Sequence, residues 1–160
     1  MRVAIVDHPL DPTALLAEVA SLGSGASTLF VGTVRRTNQG REVTGIDYSA
    51  YGPMAEREMR TMCEEAMARF GSEHIVVEHR VGTLALGEAS IVIAVSHERR
   101  ASAMDAQRYL IEELKKRVPV WKREHYADGE RVWVDNQGGA VPADAAPAGT
   151  TAAAAGEGVK

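Results

Sequence analysis

Leu114-Lys115-Lys116-Arg117-Val118-Pro119-Val120-Trp121-Lys122-Arg123-Glu124 sets five cations within nine residues of a chain whose formal net charge is -4. The residues before Pro119 read as the end of a long amphipathic helix, with Tyr109, Leu110, Leu114 and Val118 on its buried side. Pro119 has no N–H and biases Val118 away from the helical region, so Val120-Trp121-Lys122 is predicted to leave in an extended path. Lys115 then belongs to the last helical turn and Lys122 to the following strand. A reversal of direction here brings the two ammonium groups into one pocket, whereas an extended path separates them by roughly 20 Å.

Two readings of these cations compete. In a partly dry pocket, repulsion from Lys116, Arg117 and Arg123 together with desolvation lowers a lysine pKa toward neutrality and makes it a base, acid or nucleophile. Alternatively, Lys115, Lys116 and Arg117 complement the negative end of the helix, at roughly 0.3 to 1 kcal/mol each.

At 160 residues the chain suits one domain with a real core. Its apolar share of 45% and charged share of 25% are those of a globular protein. The longest apolar run, Ile91-Val92-Ile93-Ala94-Val95, is strand-sized rather than membrane-spanning. Met1 to Asp7 lacks the plan of a signal peptide, and a cytoplasmic location is expected. Cys63 is the one cysteine, which excludes an internal disulfide and a cysteine metal cluster. Its neighbours Met59, Met62, Ala66 and Met67 make it a packed core thiol. No His or carboxylate spacing reads as a metal site.

The negative net charge argues against a general nucleic-acid binder. Nine of the 18 Lys and Arg residues nevertheless fall in four short groups: Arg35-Arg36, Arg99-Arg100, Lys115 to Arg117, and Lys122-Arg123. A small anion is a common target for them.

Asp11-Pro12 starts a first helix with Asp11 as N-cap. Ala26 to Arg35 reads as a strand in which Gly32 marks a bulge or a close approach. Thr37 to Arg41 is polar and glycine-containing, a loop open to mobility until something binds, and it leaves Arg35 where strand meets loop. Val43 to Tyr51 is expected to form a hairpin with that preceding strand. A long helix runs from Met54 to about Phe70, and strands follow at Ile75 to Arg80 and Ala89 to Ser96, the latter buried on both faces. Arg99 and Arg100 then sit at a helix start, a plausible phosphate or carboxylate site. Asp128-Gly129 turns between two further strands. The folded domain is thus read as residues 1–135, and the Gly-, Ala- and Pro-rich residues 136–160 as a disordered tail.

Four ordered blocks carry a resemblance: Phe30 to Arg35 with Asn38 and Gly40; Tyr51-Gly52-Pro53-Met54-Ala55; His79 to Leu84 with Gly87-Glu88; and Pro119 to Glu124 with Lys115 upstream. Together, from about Ala26 to Trp133, they resemble the large, catalytic subunit of molybdopterin synthase. The resemblance implies an α/β (α+β) hammerhead-like single domain with mixed, largely antiparallel strands. It implies a sulfurtransferase of molybdenum cofactor biosynthesis that converts cyclic pyranopterin monophosphate to molybdopterin by two sulfur transfers, with no cofactor or metal of its own. The implied partners are a second copy, in a homodimer within a heterotetramer, and a small ubiquitin-like carrier whose C-terminal Gly-Gly bears a thiocarboxylate.

The positions matching the family's catalytic lysines are Lys115 and Lys122. Those matching its substrate-binding positions are Thr33, Val34, Arg35, Arg99, Arg100, Lys115, Lys122, Arg123 and Glu124. By this resemblance Lys115 stabilises an oxyanion or moves protons, Lys122 assists, Glu124 orients a cation, and Arg99 and Arg100 come from the neighbouring subunit. Arg99 stands where the family usually has histidine, and His97, two residues away, is a candidate substitute. The alternative reading is a non-catalytic adaptor that binds a ubiquitin-like tail or a phosphorylated metabolite in the same basic pocket.

Overall fold

The computed structural model describes residues 1–134, and the tail expected over 136–160 lies outside them. Two sheets share the chain. In the first, β1 (Arg2–Val6), β5 (His74–Arg80), β7 (Ala89–His97) and β2 (Ala26–Thr33) lie side by side in that order. Only β1 and β5 run parallel; the other neighbours are antiparallel. In the second, β3 (Thr37–Asn38), β4 (Arg41–Ala50), β8 (Val120–Tyr126) and β9 (Arg131–Val134) follow one another, and β6 (Gly82–Ala85) also pairs with β4. All the pairings of this second sheet are antiparallel. The mixed, largely antiparallel α/β architecture that the resemblance implies is the one observed.

The helices cover the first sheet on both sides. α1 (Pro12–Glu18) is capped by the Asp11 carboxylate, which accepts from the Thr13 and Ala14 N–H groups, each at 3.0 Å. Its Leu15, with Val19, packs on Val76, Val92 and Ala94. α2 (Gly52–Phe70) and α3 (Arg100–Arg117) pack on the opposite face, against Ile75, Val77, Ile91, Ile93 and Val95. Successive β7 side chains therefore enter two different cores, which is why its run from Ser90 to Ser96 is buried throughout. Cys63 sits in the larger core, where burial pushes its thiol up to about 12, as suits a packed thiol.

α3 ends where Pro119 requires. Val118 is extended (φ -78°, ψ 124°), and β8 begins at Val120. Leu110, Leu114 and Val118 are buried, each worth roughly 2 kcal/mol of apolar transfer, while Tyr109 is only partly covered. This anchoring fixes where the last helical turn meets the first residues of β8.

One expected pairing does not form. β2 and β4 are not partners: β2 ends at Thr33 and pairs with β7, while β4 pairs in the second sheet. Val34 N–H donates to the Glu88 carbonyl and the Gly87 N–H to the Val34 carbonyl, so the backbone is tied down one residue after β2. Gln39 (φ 47°) and Gly40 (φ 80°) then close a two-residue turn between β3 and β4. Local turn geometry outcompetes the longer hairpin. The segment Thr37 to Arg41, read from the sequence as a mobile loop, is this ordered hairpin, and Arg41 at its far end is anchored by Asp128 and Glu130 across from it.

Candidate active site

A cavity of about 450 Å³ opens where the two sheets and the end of α3 meet. β2 and β7 supply its floor through Phe30, Gly32, Ser90 and Ile91. The pairing there skips one residue: Gly32 faces Ile91 and Thr33 faces Ala89, leaving Ser90 as the extra residue of a bulge. The bulge lets neighbours Ser90 and Ile91, and likewise Gly32 and Thr33, all reach the cavity. A Cβ on Gly32 would stand 2.6 Å from a methyl of Ile91, so the close approach read from the sequence is real.

The charged wall comes from the kink at Val118. Lys115 on the last turn of α3 and Lys122 on β8 both line the cavity, so the chain reversal brings the two amines to one place. On β8 the two-residue period puts Lys122, Glu124 and Tyr126 on one face. Glu124 is 1% exposed and surrounded by donors. Its Oε1 accepts from Lys122 Nζ at 2.9 Å, and its Oε2 from Asn38 Nδ2 at 2.8 Å and the Tyr126 hydroxyl at 2.6 Å. Burial pushes this carboxyl up, but the bonds from Tyr126, Lys122 and Asn38 outweigh it and hold Glu124 below the usual carboxylate range. Asn38 Oδ1 accepts in turn from Arg35 Nη2 at 2.9 Å.

The rest of the cation cluster is spent elsewhere. Lys116 pairs with Glu113 at 2.9 Å, and Arg117 with Glu65 at 2.6 Å and Glu58 at 3.4 Å. Arg123 is on the opposite face of β8, held by Asp47 at 2.7 Å and lying over the Trp133 ring. Burial pushes Asp47 up, yet the bonds from Arg123, His125 and Thr83 outweigh it and bring it to about 2. The mutual crowding of cations anticipated from the sequence is therefore replaced by four carboxylate-paired cations and one that is not. Among the described residues Lys115 has no carboxylate partner.

Of the other sequence-predicted positions, Thr33 and Arg35 line the cavity. Val34 points into the small core of Val43, Ile46, Leu84 and Tyr126 and supports the site from behind. Arg99 and Arg100 stand at the start of α3, outside this chain's cavity. His97, beside them, also lies outside this chain's cavity, and its Nδ1 accepts from the Arg99 N–H at 2.9 Å at the turn into α3.

Sequence reasoning passed over four residues. Asn38 and Tyr126 complete the shell of Glu124. Tyr48 and His79 line the cavity edge to face, with ring centroids 5.4 Å apart. His79 Nδ1 lies 2.9 Å from the Arg80 carbonyl oxygen, which can only accept, so Nδ1 carries the proton. Burial lowers its pKa to about 4, and the ring is neutral with Nε2 as its acceptor nitrogen. Period two from Lys122 points to Tyr126, and Asn38 and His79 lie within the ordered blocks; only the tertiary register adds their partners.

The mixed α/β domain thus carries a cation-lined cavity with a buried, hydrogen-bonded carboxylate behind Lys122, an arrangement suited to an anionic reactant. The profile described as "MoaE protein" matches residues 5–117, more than half of the chain, and the chain belongs to that family. It is 48% identical over 122 residues to molybdopterin synthase catalytic subunit 1 of Aedes aegypti, covering 74% of this chain and 79% of that one. It is 37% identical to the molybdopterin synthase catalytic subunit of Halalkalibacterium halodurans, covering 85% and 86%. Against the Drosophila willistoni catalytic subunit it is 41% identical over 85% of its own length but spans only 37% of that longer relative. Among solved structures, molybdopterin synthase from Staphylococcus aureus superposes with a TM-score of 0.77 at 32% identity, covering 81% of this chain and 94% of that one. Among the described residues no helix is long and apolar enough to cross a membrane.

Proposed function

We propose that this chain is the catalytic subunit of a molybdopterin synthase, transferring sulfur from a thiocarboxylated small carrier to cyclic pyranopterin monophosphate, twice, in the cytoplasm. The observation that supports it most is the convergence of Lys115 and Lys122 on one cavity, with Lys115 in no ion pair among the described residues and Lys122 backed by Glu124. In each transfer the carrier's thiocarboxylate sulfur bonds to a pterin carbon in place of an oxygen. Water then adds to the carrier's terminal carbonyl and breaks its C–S bond, leaving a carboxylate on the carrier, and negative charge develops on the carbonyl oxygen as the water adds. An ammonium free of a carboxylate is suited to receive that charge, which makes Lys115 the residue to stabilise it. Lys122, held by Glu124, keeps a fixed position from which to orient the anionic reactant or to pass a proton. Arg35 and Thr33 at the rim are suited to hold the phosphate.

In this reading Arg99 and Arg100 serve a neighbouring copy's cavity, in a homodimer that binds one small carrier at each end. The carrier's extended Gly-Gly end suits such a cavity because glycine lets its backbone approach the wall closely.

Mixing the full chain with thiocarboxylated carrier and the cyclic pterin tests the proposal. The expected result is a dithiolene product from the wild-type chain, with a loss of several hundredfold or more in Lys115→Ala and an unchanged fold. Binding of both reactants without product would instead support a non-catalytic adaptor and reject the proposal.

A further inference from the structure

The carboxylate behind Lys122 is itself held by groups that no cation-based reading of the site includes. Glu124 Oε2 takes two neutral donors, Asn38 Nδ2 and the Tyr126 hydroxyl, which leaves Oε1 for Lys122 alone. Asn38 is 8% exposed, and its amide has one workable orientation. With the oxygen toward Arg35 and the nitrogen toward Glu124 both bonds are matched; turned over, an oxygen would face a carboxylate and an N–H₂ a guanidinium. Asn38 is thereby the link that joins Arg35 to the Glu124–Lys122 pair, across 86 residues of sequence from Glu124.

The backbone fixes that link. Asn38 is the last residue of β3, paired with Arg41 across the turn at Gln39 and Gly40. Arg41 is anchored in turn: its guanidinium lies 3.6 Å over the Tyr126 ring and bonds Asp128. The hairpin and the second Glu124 donor, Tyr126, are thus braced against each other.

We infer that Asn38 is a positioning residue for sulfur transfer, acting through Glu124 to hold the Lys122 ammonium in its working orientation within the cavity. This rests on the sulfur-transfer reading above. Asn38 contributes no proton and no charge; what it supplies is one N–H that keeps the carboxylate from rotating and one oxygen that steers Arg35 toward the same reactant.

Two variants of the full chain test it, by single-turnover transfer from the thiocarboxylated carrier, carrier binding and thermal melting. Asn38→Asp keeps the size of the side chain and the Arg35 contact but removes the N–H and sets a second carboxylate against Glu124. Transfer is expected to slow tenfold or more, with carrier affinity within twofold of wild type. The double variant Asn38→Asp, Glu124→Gln exchanges donor and acceptor across the same hydrogen bond while leaving Lys122 without its carboxylate. It is expected to melt like wild type and remain slow. A wild-type rate in Asn38→Asp, or recovery of the rate along with the fold in the double variant, overturns the inference and leaves the sulfur-transfer reading standing. Absence of product from the wild-type chain overturns both.

Discussion

Lys122 Nζ and Glu124 Oε1 lie 2.9 Å apart, with the lysine side chain 18% and the glutamate side chain 2% exposed. Glu124 is so enclosed that removing its carboxylate leaves three donors without that acceptor: Lys122, Asn38 and Tyr126. Glu124→Ala is expected to cost about 3 kcal/mol of unfolding free energy, and Glu124→Gln, which retains one acceptor oxygen, about half of that. Urea denaturation of the two variants at neutral pH checks the ranking. Equal stability of Glu124→Ala and wild type would show that the carboxylate holds nothing in place.

His79 makes stability depend on pH in the range from mild acid to neutral. Its folded pKa is depressed from 6.5 to about 4, so the unfolded chain binds a proton that the folded chain refuses. The stability this group contributes is present above about pH 6.5 and is lost as pH falls through about 4. Between pH 7 and pH 5 the loss amounts to about 2 kcal/mol. Denaturation midpoints for wild type and His79→Gln at those two pH values check it: the variant is expected to be less stable at pH 7 and to lose distinctly less on acidification.

Much of the architecture is written locally. Pro119 ends α3, Asp11 caps α1 and the uninterrupted apolar run of β7 requires cover on both faces; each follows from a few adjacent residues. The partnership of β4 is different, because Val43 to Tyr51 has apolar residues enough for several neighbours. The choice is made by the Gln39-Gly40 turn and by β8, more than seventy residues away. The site divides in the same way. Lys115, Lys122 and Glu124 are visible as chemistry near a kink, and strand alternation separates Arg123 from Lys122. Local spacing relates Lys116 to Glu113 and Lys122 to Glu124, but the carboxylates that neutralise Arg117 and Arg123 come from α2 and β4, which no spacing relates.

Arg117 illustrates that division and yields a direct contrast. It is two residues from Lys115 yet reaches back to Glu65 and Glu58 on α2, away from the cavity. Arg117→Ala is expected to leave single-turnover sulfur transfer within about twofold of wild type and to cost under about 1 kcal/mol, since these pairs are largely solvent-screened. Measured beside Lys115→Ala in one assay, it separates a site amine from a cation that braces two helices. Comparable losses of rate in both variants would favour a general effect of positive charge at the end of α3.

Gly32 joins the floor of the cavity to the packing of the first sheet. A methyl group there would stand 2.6 Å from the Ile91 side-chain methyl, closer than carbon atoms tolerate, and Ile91 has little room to yield because it is 5% exposed within the larger core. Gly32→Ala alone is expected to cost about 2 kcal/mol and to narrow the cavity at its base. Ile91→Ala alone removes core volume and is expected to cost about 3 kcal/mol. Combined, the two substitutions no longer collide, so the double variant is expected to be more stable than the sum of the single losses by 1 kcal/mol or more, a coupling of the size contacting residues give. Chemical denaturation of the four chains measures that coupling. Strict additivity would mean that β2 moves off β7 at this point, and that the bulge at Ser90 does not hold the cavity floor at a fixed height.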